Sequence, residues 1–278
     1  MKILNFTFKT ELEFSEPVRE HDFVLRCLPT SNSVQTVLDS QAMVAPTTSI
    51  AQQLDGFGNK LLVGRIAEEH TGFSFISSGS VMVCDLAEAS PKLEYCHPIY
   101  LRTSEKCKPG PAIEALVADT LGGLAADATA AEKAAHLTSA VFGAMRYEPG
   151  ATTVDTCAEE ALAQGAGVCQ DYAHILVSAL RVAGIAARYV SGLMLGEGAT
   201  HAWCEAYDGR HWVGFDPTHD RLANTDYIAI AHGRDFADCP VESGILTGGA
   251  RQAQHVRVRV VDDAPWVGNP TLGAEEVL

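Results

Sequence analysis

The chain has 278 residues, enough for one large domain or two modest ones with a real core. With 47% hydrophobic and 20% charged residues, its composition is that of an ordinary globular protein. A formal net charge of −15 argues against nucleic acid and anionic membranes as partners, because both are bound through basic patches.

Met1 to Thr10 alternates like a first strand and has no signal-peptide apolar run. No apolar stretch approaches the roughly 20 residues that span a bilayer. The eight cysteines contain no Cys-x-x-Cys pair and no regular framework. Free thiols in a reducing cytoplasm are therefore expected, and the spacing speaks against structural zinc. Short β-rich runs follow at Asp22–Leu28, Leu61–Val63, Gly72–Ile76 and Ser80–Val83, separated by turn residues such as Asp55-Gly-Phe-Gly-Asn59. They predict an all-β sandwich domain over residues 1–103.

Leu101 to Pro111 reads as a linker, and helices follow over 112–124 and 129–145. Ala135, Leu137, Val141, Phe142 and Met145 are core candidates in the second of these. Thr156-Cys-Ala-Glu159 has capping-box form and predicts a short helix to Gln164. The turn Gly165-Ala-Gly167 then delivers Cys169 onto the first turn of a patterned helix with Ala173, Leu176, Val177 and Leu180 on one stripe. Arg181 in the last turn and Gly184 beyond it are stop signals.

A cysteine at a helix N-terminus sits where unpaired N–H groups and the macrodipole favour an anion. The helix end supplies at most about 2 kcal/mol. At about 1.4 kcal/mol per pKa unit, that is too little to make a strongly activated nucleophile. A second positive neighbour is required. In Thr200-His-Ala-Trp-Cys-Glu-Ala-Tyr-Asp-Gly-Arg-His-Trp-Val-Gly-Phe-Asp216, the pair Asp208-Gly209 predicts a two-residue hairpin loop. Tyr207 then lies opposite Arg210, Glu205 opposite Trp212, Trp203 opposite Gly214, and His201 opposite Asp216. A nucleophile, a base and an orienting carboxylate result: Cys169, His201 and Asp216 have the logic of thiol acyl transfer. Strands at 227–230 and 256–261 complete an α+β pattern, helices first and antiparallel strands after.

These residues resemble the transglutaminase-like superfamily. The matching pieces are Gly167-Val-Cys169-Gln-Asp171-Tyr-Ala-His174, Leu180-Arg-Val-Ala-Gly184 with Arg188-Tyr-Val-Ser-Gly192, Thr200-His-Ala-Trp203 and Phe215-Asp216-Pro-Thr218. Gly233-Arg-Asp-Phe-Ala-Asp238-Cys-Pro240, with Gly244 and Gly248-Gly249, is similar to the tail of the bacterial branch. The resemblance implies catalytic roles for Cys169, His201 and Asp216. It also implies a papain-like core over 104–278 behind an N-terminal β domain. Ala186 stands where relatives often have proline, and His219 where they often have asparagine. The animal enzymes' calcium sites are not recognisable, so neither metal nor cofactor is expected.

An oxyanion donor is required, and the backbone N–H of Cys169 is the natural one. Gln164, Tyr172 and Trp203 are candidates for a second donor or for lining the substrate cleft, with Asp171 beside them. His174 and His211 fall off the reactive face and read as structural. The expected activity is attack on an amide of a peptide or protein, and the resemblance to the bacterial branch implies hydrolysis. Amine transfer by a protein-glutamine transglutaminase is the alternative, and a non-catalytic binding module is a further one. A metal held by Cys169, His201 and Asp216 is a third possibility. The Met194–Thr200 loop, with its Gly-Glu-Gly run, reads as a mobile pocket wall.

Overall fold

A computed structural model describes residues 1–88 and 93–262. Among the described residues the fold is mixed, mostly strand, with four α-helices. The first strand, β1 (Lys2–Leu25), runs through both segments that the sequence suggests as separate strands. Leu4, Phe6, Phe8, Leu12 and Phe14 alternate into the core, as a half-buried strand requires. Near Pro17, which has no N–H to give, the pairing breaks between Glu13 and Val18 and the strand bends.

Four strands follow: β2 (Gln35–Ala45), β3 (Ile50–Leu54), β4 (Lys60–Ile66) and β5 (His70–Val83). The Asp55–Asn59 segment is the expected turn between β3 and β4. The Asp55 carboxylate accepts from the N–H groups of Phe57 and Asn59, and Gly58 takes φ +86°.

Helices α1 (Pro111–Leu121) and α2 (Ala130–Ala144) come next, then β6 (Arg146–Tyr147), α3 (Ala158–Gln164), β7 (Ala166–Gly167) and α4 (Cys169–Val182). Two local expectations are corrected here. The buried stripe of α2 is Ala134, Leu137, Thr138 and Val141, leaving Ala135 and Phe142 exposed. The cap of α3 is one residue later than predicted, with the Cys157 N–H donating to Glu160. Glu159 caps α1 instead, accepting from the N–H groups of Gly110, Ala112 and Ile113.

The remaining strands are β8 (Ala187–Met194), β9 (Gly196–Gly198), β10 (His201–Tyr207), β11 (Trp212–Asp216), β12 (Arg221–Leu222), β13 (Tyr227–Gly233), β14 (Glu242–Thr247) and β15 (Gln252–Asp262). An antiparallel five-stranded sheet has the order β12-β11-β10-β8-β13, and α4 packs on β10 and β8. Residues 171–181 of α4 are all buried, because α1, α2 and α3 cover the sides the sheet does not.

The N-terminal strands β1–β5 belong to one curled, antiparallel eight-stranded sheet whose two parts share β1. Its completion comes from the other end of the chain. β15 pairs with β1 from Leu4↔Asp262 to Phe14↔Gln252, and β14 pairs with its second half. Strands give way to helices between Val83 and Pro111, and the last strands, read from sequence as part of the catalytic core, join the N-terminal sheet. The two sheets are also stitched by amides: Gln35 and Asn59 each give and receive a backbone hydrogen bond on β13, at Ala229 and His232. Those bonds satisfy an edge strand that would otherwise be open. No helix of the described residues is long and apolar enough to cross a membrane.

Candidate active site

Cys169 occupies the first helical position of α4, half-buried. Its approach is set by the parallel pairing of β6 with β7, Arg146↔Ala166 and Tyr147↔Gly167. Asp171, inside the first turn, reaches back to accept from the Val168 N–H at 2.8 Å and from Thr152 Oγ1 at 2.6 Å. An added Cβ at Gly167 would fall 2.5 Å from that carboxylate, so the turn needs glycine there. The Asp171 and Tyr172 N–H groups donate to the Val168 carbonyl at 2.9 and 3.2 Å, while those of Cys169 and Gln170 precede the first carbonyl the helix can offer.

The hairpin forms with a different loop from the one expected. Its pairs are Tyr207↔Trp212, Glu205↔Gly214 and Cys204↔Phe215, around a four-residue loop. The cause lies in Asp208, whose carboxylate accepts from the N–H groups of Arg210 and His211 while its own N–H donates to the His211 carbonyl. A two-residue type I′ turn needs positive φ at both central residues, and here only Gly209, at +100°, has it. The register shifts by two residues, so every side chain keeps its face. His201 therefore sits diagonally from Asp216 instead of directly opposite, and its Nε2 donates to Asp216 Oδ2 at 2.8 Å. Nδ1 is thus the ring nitrogen left for Cys169.

Asp216 is fully buried and receives four donors. Besides His201, they are His219 Nδ1 at 2.7 Å, the Tyr227 hydroxyl at 2.6 Å and the Thr218 backbone N–H at 2.9 Å. Arg221 Nε in turn donates to the Tyr227 oxygen at 2.8 Å. Burial alone would raise the Asp216 carboxyl, but these donors, His201 first among them, hold it well below the usual carboxylate range. Burial also works against a charged His201, yet Asp216 and the neighbouring Cys169 outweigh it and lift the imidazole to about 9. Burial and the Asp216 charge push the Tyr227 phenol up. Ligand atoms of His201, Asp216 and His219 lie within 4.8 Å of one another, a spacing their hydrogen bonds already explain.

A cleft of about 430 Å³ opens beside the thiol, lined by Tyr147, Cys169, residues 194–200, His201, Thr218 and His219. Of the further candidates, Gln164 is exposed and gives its amide to the Ala151 carbonyl, away from this wall. Tyr172 is buried against Tyr147. Trp203 is buried between the His201 and Tyr227 rings, as packing beneath the site. His174 is structural as expected: it is fully buried and accepts from the Phe236 N–H, and burial lowers its imidazole to about 4. Tyr227 and Tyr147 carried no sequence signal beyond being aromatic. Residues 196–198 are a strand paired with β15, not a free loop.

Residues 115–217 match the family model of the transglutaminase-like superfamily, and residues 4–82 that of the bacterial transglutaminase-like N-terminal region. An uncharacterized protein of Mycobacterium leprae is 30% identical over 244 residues, covering 80% of this chain and 85% of that protein. An uncharacterized protein of Mycobacterium tuberculosis is 39% identical over 142 residues, so that match spans 45% of this chain and 45%, just under half, of the relative. The crystal structure of a protein named a "Putative Cysteine Protease", from Cytophaga hutchinsonii, superposes with a TM-score of 0.76 at 22% identity, over 98% of this chain and 95% of that one.

Proposed function

The chain belongs to the transglutaminase-like superfamily, and from that premise we propose a thiol enzyme that cleaves an amide of a peptide or protein through Cys169, His201 and Asp216. The observation that carries the reading is the Cys169–His201–Asp216 arrangement: a thiol at a helix N-terminus beside an imidazole whose far nitrogen is held by a buried carboxylate. The Cys169 proton lies on His201 Nδ1 when Sγ attacks the carbonyl carbon. The Cys169 N–H steadies the oxyanion. Collapse breaks the C–N bond as the imidazolium returns its proton to the leaving amine, leaving a thioester. Water, deprotonated by His201, then attacks that carbonyl and the C–S bond breaks to regenerate the thiol. An amine in place of water gives transfer with the same residues. The name of the Cytophaga hutchinsonii protein supports the hydrolytic branch. All eight cysteines are unpaired, which suits a reducing compartment such as the cytoplasm.

The test is alkylation of Cys169 by iodoacetamide, followed across pH by peptide mass spectrometry in the wild type and in His201→Ala. His201 keeps its proton until about pH 9, so the cationic imidazole is present through neutral pH and disappears as pH rises through that value. The wild type is expected to react faster than His201→Ala near neutrality, and the difference to close as pH rises past about 9. Superimposable profiles would remove the assignment. Amine release from a peptide amide, with and without added alkylamine, then separates hydrolysis from transfer.

A further inference from the structure

The cleft has one wall with no counterpart in the chemistry above. β9 pairs with β15 through Gly196↔Val260, Glu197↔Arg259 and Gly198↔Val258. It is the last strand of the β2-β5-β1-β15-β9 path, and its other edge has no strand partner among the described residues. Gly196, Glu197 and Gly198 are exposed, and all three line the cleft with Cys169 and His201. The strand is held in place: the Leu195 N–H donates to the Asp226 carbonyl at 2.8 Å, and Glu197 meets Arg259 at 3.3 Å. An unpaired strand edge offers a row of N–H and C=O groups to another chain.

The two glycines differ in what the fold asks of them. Gly196 has φ +117°, which favours glycine. Gly198 is not in that region, and a Cβ added there meets no atom within 4 Å. The fold places no demand for glycine at 198, although glycine in a strand costs stability. A bare position in a strand often marks where a ligand or another backbone comes close.

We infer that the substrate is an extended peptide segment that adds as a strand to the free edge of β9, and that Gly198 is the specificity-determining residue, leaving room on the sheet face for the side chain of the docked residue opposite it. β9 spans about 10 Å at strand rise, so the docked segment is some three residues long. Its main chain supplies the affinity, as in other strand additions. The inference rests on Cys169 being the nucleophile.

Three reagents applied to the full chain test it: iodoacetamide, an acetyl-trialanyl chloromethyl ketone, and the same ketone N-methylated at its internal peptide nitrogens. Each alkylates the thiol at Sγ, the ketones forming a thioether with loss of chloride. In the wild type the N-methylated ketone should react more slowly than its parent by about tenfold, the worth of one or two backbone hydrogen bonds. Gly198→Val should slow the parent ketone by a similar factor relative to iodoacetamide, with Gly198→Ala intermediate and thermal unfolding of both variants close to wild type. Equal parent-ketone to iodoacetamide ratios in wild type and Gly198→Val, or no effect of N-methylation, overturn the strand-addition inference while leaving the nucleophile standing. Iodoacetamide profiles indifferent to His201 remove the proposed function, and this inference with it.

Discussion

At the residue scale, the chemistry converges on one buried carboxylate. Asp216 has no solvent to stabilise its charge, so its ionised form depends on the donors around it. Two of the side-chain donors carry no signal in the sequence. His219 enters the sequence reading only as a departure from the family's asparagine, and Tyr227 as a strand aromatic. Tyr227→Phe removes the hydroxyl at 2.6 Å and keeps the ring that packs against Trp203. Hydrogen bonds to charged groups are worth about 1.5–3 kcal/mol, so urea unfolding should show a loss of that order. The sign for pH follows from the lowered Asp216 carboxyl, which contributes stability above the ordinary carboxylate range and loses it as pH falls. With one donor fewer, the acid limb of both stability and activity should move to higher pH, which a pH–rate profile measures. An unchanged limb would mean that the hydroxyl does not hold the charge.

At the element scale, α4 is the centre of the helical half, and its beginning matters more than its middle. The stripe of Ala173, Leu176, Val177 and Leu180 is buried as its helical spacing predicts, but so is the rest of the helix to Arg181. Arg181 is buried because its guanidinium donates to the carbonyls of Tyr100, Ala187 and Arg234. The turn bearing Cys169 is held by Asp171. Asp171→Ala leaves the Val168 N–H and Thr152 Oγ1 without their acceptor. A lost helix-terminal acceptor costs about 0.5–2 kcal/mol. The expected result is a stability loss in that range together with a larger fall in Cys169 alkylation rate, because the thiol loses its fixed position. Stability lost with reactivity intact would show that Asp171 supports the helix but not the nucleophile.

At the scale of the whole molecule, the N-terminal sheet is closed by strands from beyond residue 240. Without β14 and β15, β1 presents one bare edge over most of its length, with Leu4, Phe6, Phe8, Leu12 and Phe14 alternating along the Leu4–Phe14 stretch. A long apolar edge is an association site. Residues 1–103 produced alone should therefore elute as oligomers in size-exclusion chromatography. Fusing residues 242–262 to that fragment through a flexible linker should restore a monomer. A monomeric, cooperatively folding 1–103 would show that the sheet does not need its C-terminal strands. The same pairing carries β9 on β15, so the N-terminal sheet forms part of the wall of the reactive cleft.

What the sequence by itself determined is local. Cys169 begins a helix because glycines precede an apolar 3.6-residue period, and Asp208-Gly209 turns a hairpin because few other residues accept that backbone. His201 and Asp216 share a face because strand side chains alternate with period two, a rule that survived a register two residues from the expected one. Tertiary structure decided the rest. Glu159 caps a helix 46 residues away at Ile113 instead of its own, Tyr227 finds Asp216, and β15 returns to β1 across almost the whole chain. The Gly-Glu-Gly run becomes a strand only because β15 is there to receive it. Periodicity and turn chemistry act between neighbours in sequence, and they carry no information about which distant backbone will supply the partner for an open edge or an unpaired donor.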